Sequence, residues 1–239
     1  MLFKKVMAGA FYYVYENRVP LAKALSLPFS AFLIIGFIEE SEMDGPISYL
    51  LLMALGFFLQ VIFAITTHRI LLLGKESVPE FGLRSWSKRE TFYFLHFLGL
   101  LLMLIAPALL IMLIAPVLLS FITFIGAAIA MVVSFWVLSR LSLVFPGIAV
   151  DKGVSFQMSW DLTKDYQLLM LLVVIVCPVL LAIPSILLSL IPYPFILTNF
   201  VSTLVIVLTN FVSTLVIVFE VAALSMAYQL ITSEQYANG

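Results

Sequence analysis

Two charged residues, Arg140 and Glu220, lie within long apolar surroundings. No Asp, Glu, Lys or Arg occurs from 91 to 139, and none from 167 to 219. Arg140 closes the first of these runs and Glu220 follows the second. A charge in hydrocarbon is costly and normally paired, so each is a default site. Their depths along the chain are similar, and the expectation is that they meet as an intramembrane ion pair. Such a pair fixes helix register, or holds a head group or a proton.

Other chemistry is sparse. His68 and His96 are scattered, and the single cysteine, Cys177, sits in an apolar run. A structural zinc site takes four ligands at short spacing, which these do not supply, so no metal is expected. The chain has no HExxH, GxSxG, CxxC or glycine-rich phosphate loop, and no nucleophile with a base to activate it can be assembled. The expectation is therefore no enzyme, no cofactor and no nucleic-acid partner. Four bases, Arg69, Arg140, Lys152 and Lys164, flank apolar runs. They are candidate contacts for anionic lipid, since each base beside an anionic leaflet contributes on the order of 1 kcal/mol. Trp86 and Trp160 are candidate interfacial anchors. Between Arg140 and Lys164, the spacing predicts a short elbow helix over 155–164 with Ser155 as its N-cap.

The elements that position these residues follow from composition. Of 239 residues, 64% are hydrophobic and 10% charged, against about a quarter charged in soluble domains. The solvent for this surface is lipid. The pattern predicts an all-α membrane protein: an N-terminal amphipathic interfacial helix (1–18), then a transmembrane domain (19–239) of six helices. Phe3, Val6, Met7, Ala10, Phe11 and Val14 share one face of the first helix, and Arg18 with Pro20 is expected to end it. Spans are expected over 20–38, 47–65, 91–114, 118–145, 167–190 and 195–230, the fifth bent by Pro178 and Pro184. Lys23 is placed to snorkel, and Gln60 is a lone polar group in the second span. Turns are expected at the acidic 39–44, near Ala115 and Pro116, and at 191–194. No secretory signal peptide is visible, because Tyr12, Tyr13, Glu16 and Arg18 interrupt any apolar leader.

Six crossings put all 12 Lys and Arg residues on one side: Lys4, Lys5, Arg18, Lys23, Arg69, Lys75, Arg84, Lys88, Arg89, Arg140, Lys152 and Lys164. Glu39, Glu40, Glu42 and Asp44 fall opposite. The positive-inside rule then places both termini in the cytoplasm.

Two repeats are visible. LTNFVSTLVIV occurs at 197–207 and again at 208–218. Eleven residues make nearly three turns, so Asn199 and Ser202 recur on almost the same face as Asn210 and Ser213. This polar stripe is a candidate surface for a helix partner. The last helix becomes roughly 54 Å long at 1.5 Å per residue, against a core of about 30 Å. It must tilt, protrude or break. A weaker similarity links Arg69 and SWSKRETF with Arg140 and SWDLTKDY, a candidate parallel repeat of helices 2–3 and 4–5.

The strip of Arg140, proline and SWDLTKDY resembles the YciC-type bacterial inner-membrane proteins, and the related membrane domain of some glycerophosphodiester phosphodiesterases. THRILLLGKE with SWSKRETFYFL is similar to a stretch common in uncharacterised six-helix proteins of proteobacteria. The resemblance implies a bacterial inner membrane location and a connection to the envelope or its lipids. It brings no catalytic residues. The expected function is a non-enzymatic role in envelope organisation or lipid handling. The alternatives are a small transporter or lipid flippase, and an accessory subunit of a membrane complex.

Overall fold

The computed structural model describes residues 2–40, 45–82, 85–114, 120–189 and 198–238. The expected turns at 41–44, 115–116 and 191–194, and Arg84, lie outside the described residues. Those described are almost entirely helical, with no strand among them.

Helix α1 (Leu2–Glu16) gives way at Asn17 to α2 (Arg18–Glu40). The expected break at Arg18 and Pro20 is milder than anticipated. The backbone continues through it, with Asn17 N–H donating to Tyr13 O and Leu21 N–H to Asn17 O. Pro20 sits in the first turn of α2, where a missing N–H costs no helical bond. Helix α1 buries Val6 and Ala10 against the last helix, and stacks Phe11 on Phe219 at 4.6 Å.

α2 pairs with α3 (Pro46–Leu73), and α4 (Lys88–Ile114) pairs with α5 (Ser120–Leu141). Short helices follow: α6 (Val144–Ala149), α7 (Phe156–Leu162) and α8 (Gln167–Leu171). A π-helical stretch, Leu172–Val176, then leads into α9 (Cys177–Ser189). Pro178 explains the widened turn: it cannot donate to Val174 O, and its ring crowds that carbonyl. α7 is the expected elbow, and Ser155 caps it by accepting from Met158 N–H at 3.2 Å. The closing helix α10 (Thr198–Asn238) runs unbroken for 41 residues, about 60 Å at 1.5 Å per residue.

Among the described residues, six helices are long and apolar enough to cross a membrane: Arg18–Ile38, Pro46–Leu73, Lys88–Ile111, Phe124–Ala149, Gln167–Pro184 and Thr203–Glu234. The core sits toward one end of this bundle. α3 is buried almost all round from Val61 to Leu71, while Ile47, Leu50 and Leu51 at its start are exposed. α10 buries one face between Val218 and Ile231, with Val218, Ala222, Ala223, Met226, Ala227 and Ile231 in the core. Ala222, Ala223, Ser225 and Ala227 are small enough to let α1, α3 and α9 approach its backbone. Exposed apolar residues such as Phe124, Ile129 and Val132 on α5 are ordinary for a surface solvated by hydrocarbon.

Candidate functional site

The buried end gathers the polar residues. Thr66, Thr67, His68, Arg69, Glu90, Ser139, Arg140, Ser142, Ser159, Thr163 and Ser225 are all buried. Two arginine-centred clusters organise Arg69, Glu90, Arg140, Ser159 and Thr163.

The first cluster is built on the turn after α6. Asp151 N–H donates to Ile148 O, and Lys152 N–H to Gly147 O, which closes the helix with Asp151 at φ 61° and Gly153 at φ 60°. Aspartate tolerates this left-handed geometry better than most side chains. The turn folds back so tightly that a Cβ on Gly147 would lie 2.2 Å from Val154 Cγ2. Asp151 is thereby held between two guanidiniums. Arg69 Nη1 donates to Asp151 Oδ2 at 2.8 Å and to Ala149 O at 2.9 Å. Arg89 Nε donates to Asp151 Oδ1 at 2.7 Å. The arginine side chains are 11% and 13% exposed, the aspartate 54%. Burial alone would push the Asp151 carboxyl up, but the hydrogen bonds and charges of Arg89 and Arg69 outweigh it and hold the group below its usual range. Glu90 balances the second guanidinium, 3.7 Å from Arg89. It also accepts from Ser87 N–H at 2.8 Å, as the fourth residue of a capping box that starts α4. One clasp therefore ties α3, α4 and the α6–α7 turn.

The second cluster surrounds Arg140. Its Nε donates to Thr163 Oγ1 at 3.3 Å, and its Nη2 donates to Trp160 O. Its carbonyl accepts from Ser159 Oγ at 2.8 Å. The guanidinium carbon lies 3.8 Å from the centre of the Trp160 ring and 5.6 Å from that of Trp136. The SWDLTKDY strip is thus folded around Arg140. Its final tyrosine, Tyr166, donates to Glu234 on α10.

This corrects the expected Arg140–Glu220 pairing: no ion pair joins the two, and Glu220 stands half-buried on α10. Arg140 is satisfied by a carbonyl, a hydroxyl and two indole faces from the chain immediately around it. Of the four candidate lipid-contacting bases, Arg69 and Arg140 are committed to internal partners, while Lys152 and Lys164 are exposed. Lys23 pairs with Glu80 at 2.9 Å. Trp86 donates to Thr91 Oγ1 and packs edge-on against Phe58. The two Ser-Trp strips differ locally: Ser85 and Trp86 precede α4, whereas Ser159 and Trp160 lie within α7. On α10, Asn210 and Ser213 are half-buried, and the side chains of Asn199 and Ser202 lie outside the described residues.

His68 Nδ1 is 2.7 Å from Ser225 Oγ, while His68 Nε2 and Thr67 Oγ1 are buried with no partner among the described residues. His96 Nδ1 donates to Phe92 O, and its ring lies on Phe156. Among the described residues no three His, Cys, Asp or Glu side chains converge.

Beside the clasp a cleft of about 440 Å³ separates α4 from the α6–α7 turn. One wall is Lys88, Arg89, Phe92 and His96; the other is Ile148, Asp151, Gly153, Val154 and Ser155. A larger cavity of about 590 Å³ between α4 and α5 is apolar, with Ser134 its one hydroxyl. Arg69 does not reach the cleft; the space beside it holds about 30 Å³.

Comparison with family models, curated proteins and solved structures returned no match.

Sequence reasoning missed Asp151, Arg89 and Lys88 as site residues. The Ser87–Glu90 spacing was a readable signal, because S-x-x-E before an apolar run is a capping box. Asp151-Lys152-Gly153 was a readable turn. Nothing local told which arginines that turn would capture.

Proposed function

We propose that this chain is a non-enzymatic, multi-pass protein of the bacterial inner membrane that handles lipid at its cytoplasmic face. In this reading both termini are cytoplasmic, α1 lies along the interface, and the basic end of the bundle meets the anionic leaflet. The observation that carries it is the cleft beside the clasp. It has a basic rim at Lys88 and Arg89, and apolar walls at Phe92, Ile148 and Val154. That is the polarity profile of a lipid entering sideways from the leaflet. Arg69 and Arg140 serve the bundle and leave the lipid to more exposed bases. A transporter would be supported by a polar cavity at mid-membrane. The large cavity along α4 and α5 is apolar instead.

Two measurements test this. The first is native mass spectrometry of the detergent-extracted chain, which should reveal at least one co-purifying lipid; a lipid-free spectrum under gentle conditions counts against the reading. The second labels cysteines placed at Asp44 or Lys152 from either side of the membrane. The native Cys177 is buried and gives little background. Opposite accessibility is expected, and labelling of both positions from one compartment would overturn the orientation.

A further inference from the structure

We propose that the cleft between α4 and the α6–α7 turn selects a lipid with an anionic phosphodiester head group over one that also carries an ammonium. This rests on the lipid-handling reading and adds the head-group class.

The argument is one of unmatched charge. In the clasp, Arg69 and Arg89 are balanced by Asp151 and Glu90. Lys88 lines the cleft, is exposed, and forms no ion pair among the described residues. Among the residues that line the cleft and their ion-pair partners, Lys88 is therefore the one surplus positive charge, which matches a phosphodiester monoanion. An ammonium would gain most from an unbalanced carboxylate, and among the described residues the side-chain acceptors lining the rim are already engaged. Both Asp151 oxygens are held by guanidiniums, and Ser155 Oγ accepts from Met158 N–H. His96 lies eight residues further along α4, about 12 Å deeper at 1.5 Å per residue, below the reach of a head group held at Lys88. A lipid rather than a soluble phosphate is indicated by Phe92, Ile148 and Val154, which continue the cleft as an apolar wall below the rim.

The test uses the purified full chain, incubated with an equimolar mixture of phosphatidylglycerol and phosphatidylethanolamine and read by native mass spectrometry. The wild-type chain should retain phosphatidylglycerol about five-fold over phosphatidylethanolamine, the worth of one base beside an anionic lipid. Lys88→Ala should bring the ratio to parity and Lys88→Arg should restore it. Lys4→Ala, which removes an exposed base on α1, should leave it unchanged. Excess glycerol 3-phosphate should not displace the lipid. Equal retention of both lipids by the wild-type chain, a preference that survives Lys88→Ala, or displacement by glycerol 3-phosphate would each overturn this selectivity. Equal retention would leave the lipid-handling reading standing; retention of neither lipid would remove both.

Discussion

Replacing Asp151 with Asn tests the clasp with the fewest side effects. Asparagine keeps the left-handed backbone at φ 61° and one carbonyl acceptor, so the change isolates the negative charge. The charge serves two hydrogen bonds of 2.8 and 2.7 Å to guanidiniums that are nearly buried. Hydrogen bonds to charged groups contribute about 1.5–3 kcal/mol each. The carboxylate is 54% exposed, so solvent screening moves the sum toward the lower end. Arg69 keeps Ala149 O and Ser77 O, and Arg89 keeps Glu90. The expected loss for Asp151→Asn is about 2 kcal/mol. Asp151→Ala should lose about 1 kcal/mol more, because alanine pays for the left-handed conformation. The assay is reversible unfolding in mixed micelles across pH. The folded Asp151 carboxyl is held below its unfolded value, so its contribution is complete above about pH 4 and is lost as pH falls through the folded value. The gap between wild type and Asp151→Asn should therefore close in acid. A gap below 0.5 kcal/mol at neutral pH, on the order of the scatter of surface substitutions, would refute the reasoning. So would a gap independent of pH.

Three further outcomes follow from the packing. Arg140→Ala and Glu220→Gln should be additive within about 0.5 kcal/mol in a double-mutant cycle, as expected of groups that share no partner; a larger coupling energy would restore their pairing. Gly147→Ala should destabilise by about 1–3 kcal/mol through overpacking, since its Cβ would strike Val154, and thermal unfolding should detect it. Deleting either copy of LTNFVSTLVIV yields the same chain and shortens α10 by about 16 Å. Because eleven residues turn the helix by almost a whole number of turns, this chain should still fold, as judged by size-exclusion chromatography and unfolding. Aggregation would show that the added length is structurally required.

The elbow was legible because Ser155 and the apolar spacing behind it act within one turn of helix, and α7 forms where they predict. The helical spans were legible for a related reason. In lipid every backbone polar group must bond within its own segment, so length and composition alone mark a crossing helix. The break expected at Arg18 and Pro20 is milder in the structure, where the backbone bonds continue through Asn17. Pro20 disfavours helix only in the residue before it, and a proline in a first turn breaks nothing.

The site was only half legible. Arg69, Arg140 and Trp160 were picked out as charged or aromatic groups near apolar runs, but their partners were not. Glu220 was assigned to Arg140 by matching depth, which ignores rotation about the helix axis and the partners offered by the adjoining chain. Thr163 and the Trp160 carbonyl arrive through the elbow and reach the guanidinium first.

By itself the sequence determined the class of solvent, the helices, the local caps and the confinement of charge to short stretches, because each depends on neighbours within a few residues. The tertiary structure alone decided that Asp151 sits between Arg69 and Arg89, that Arg140 turns toward two indoles instead of Glu220, and that Lys88 is left unmatched beside a cleft. Each of these depends on how helices rotate and approach one another, and hydrophobic periodicity in a membrane carries almost no record of that rotation, since lipid and neighbouring helix are equally apolar.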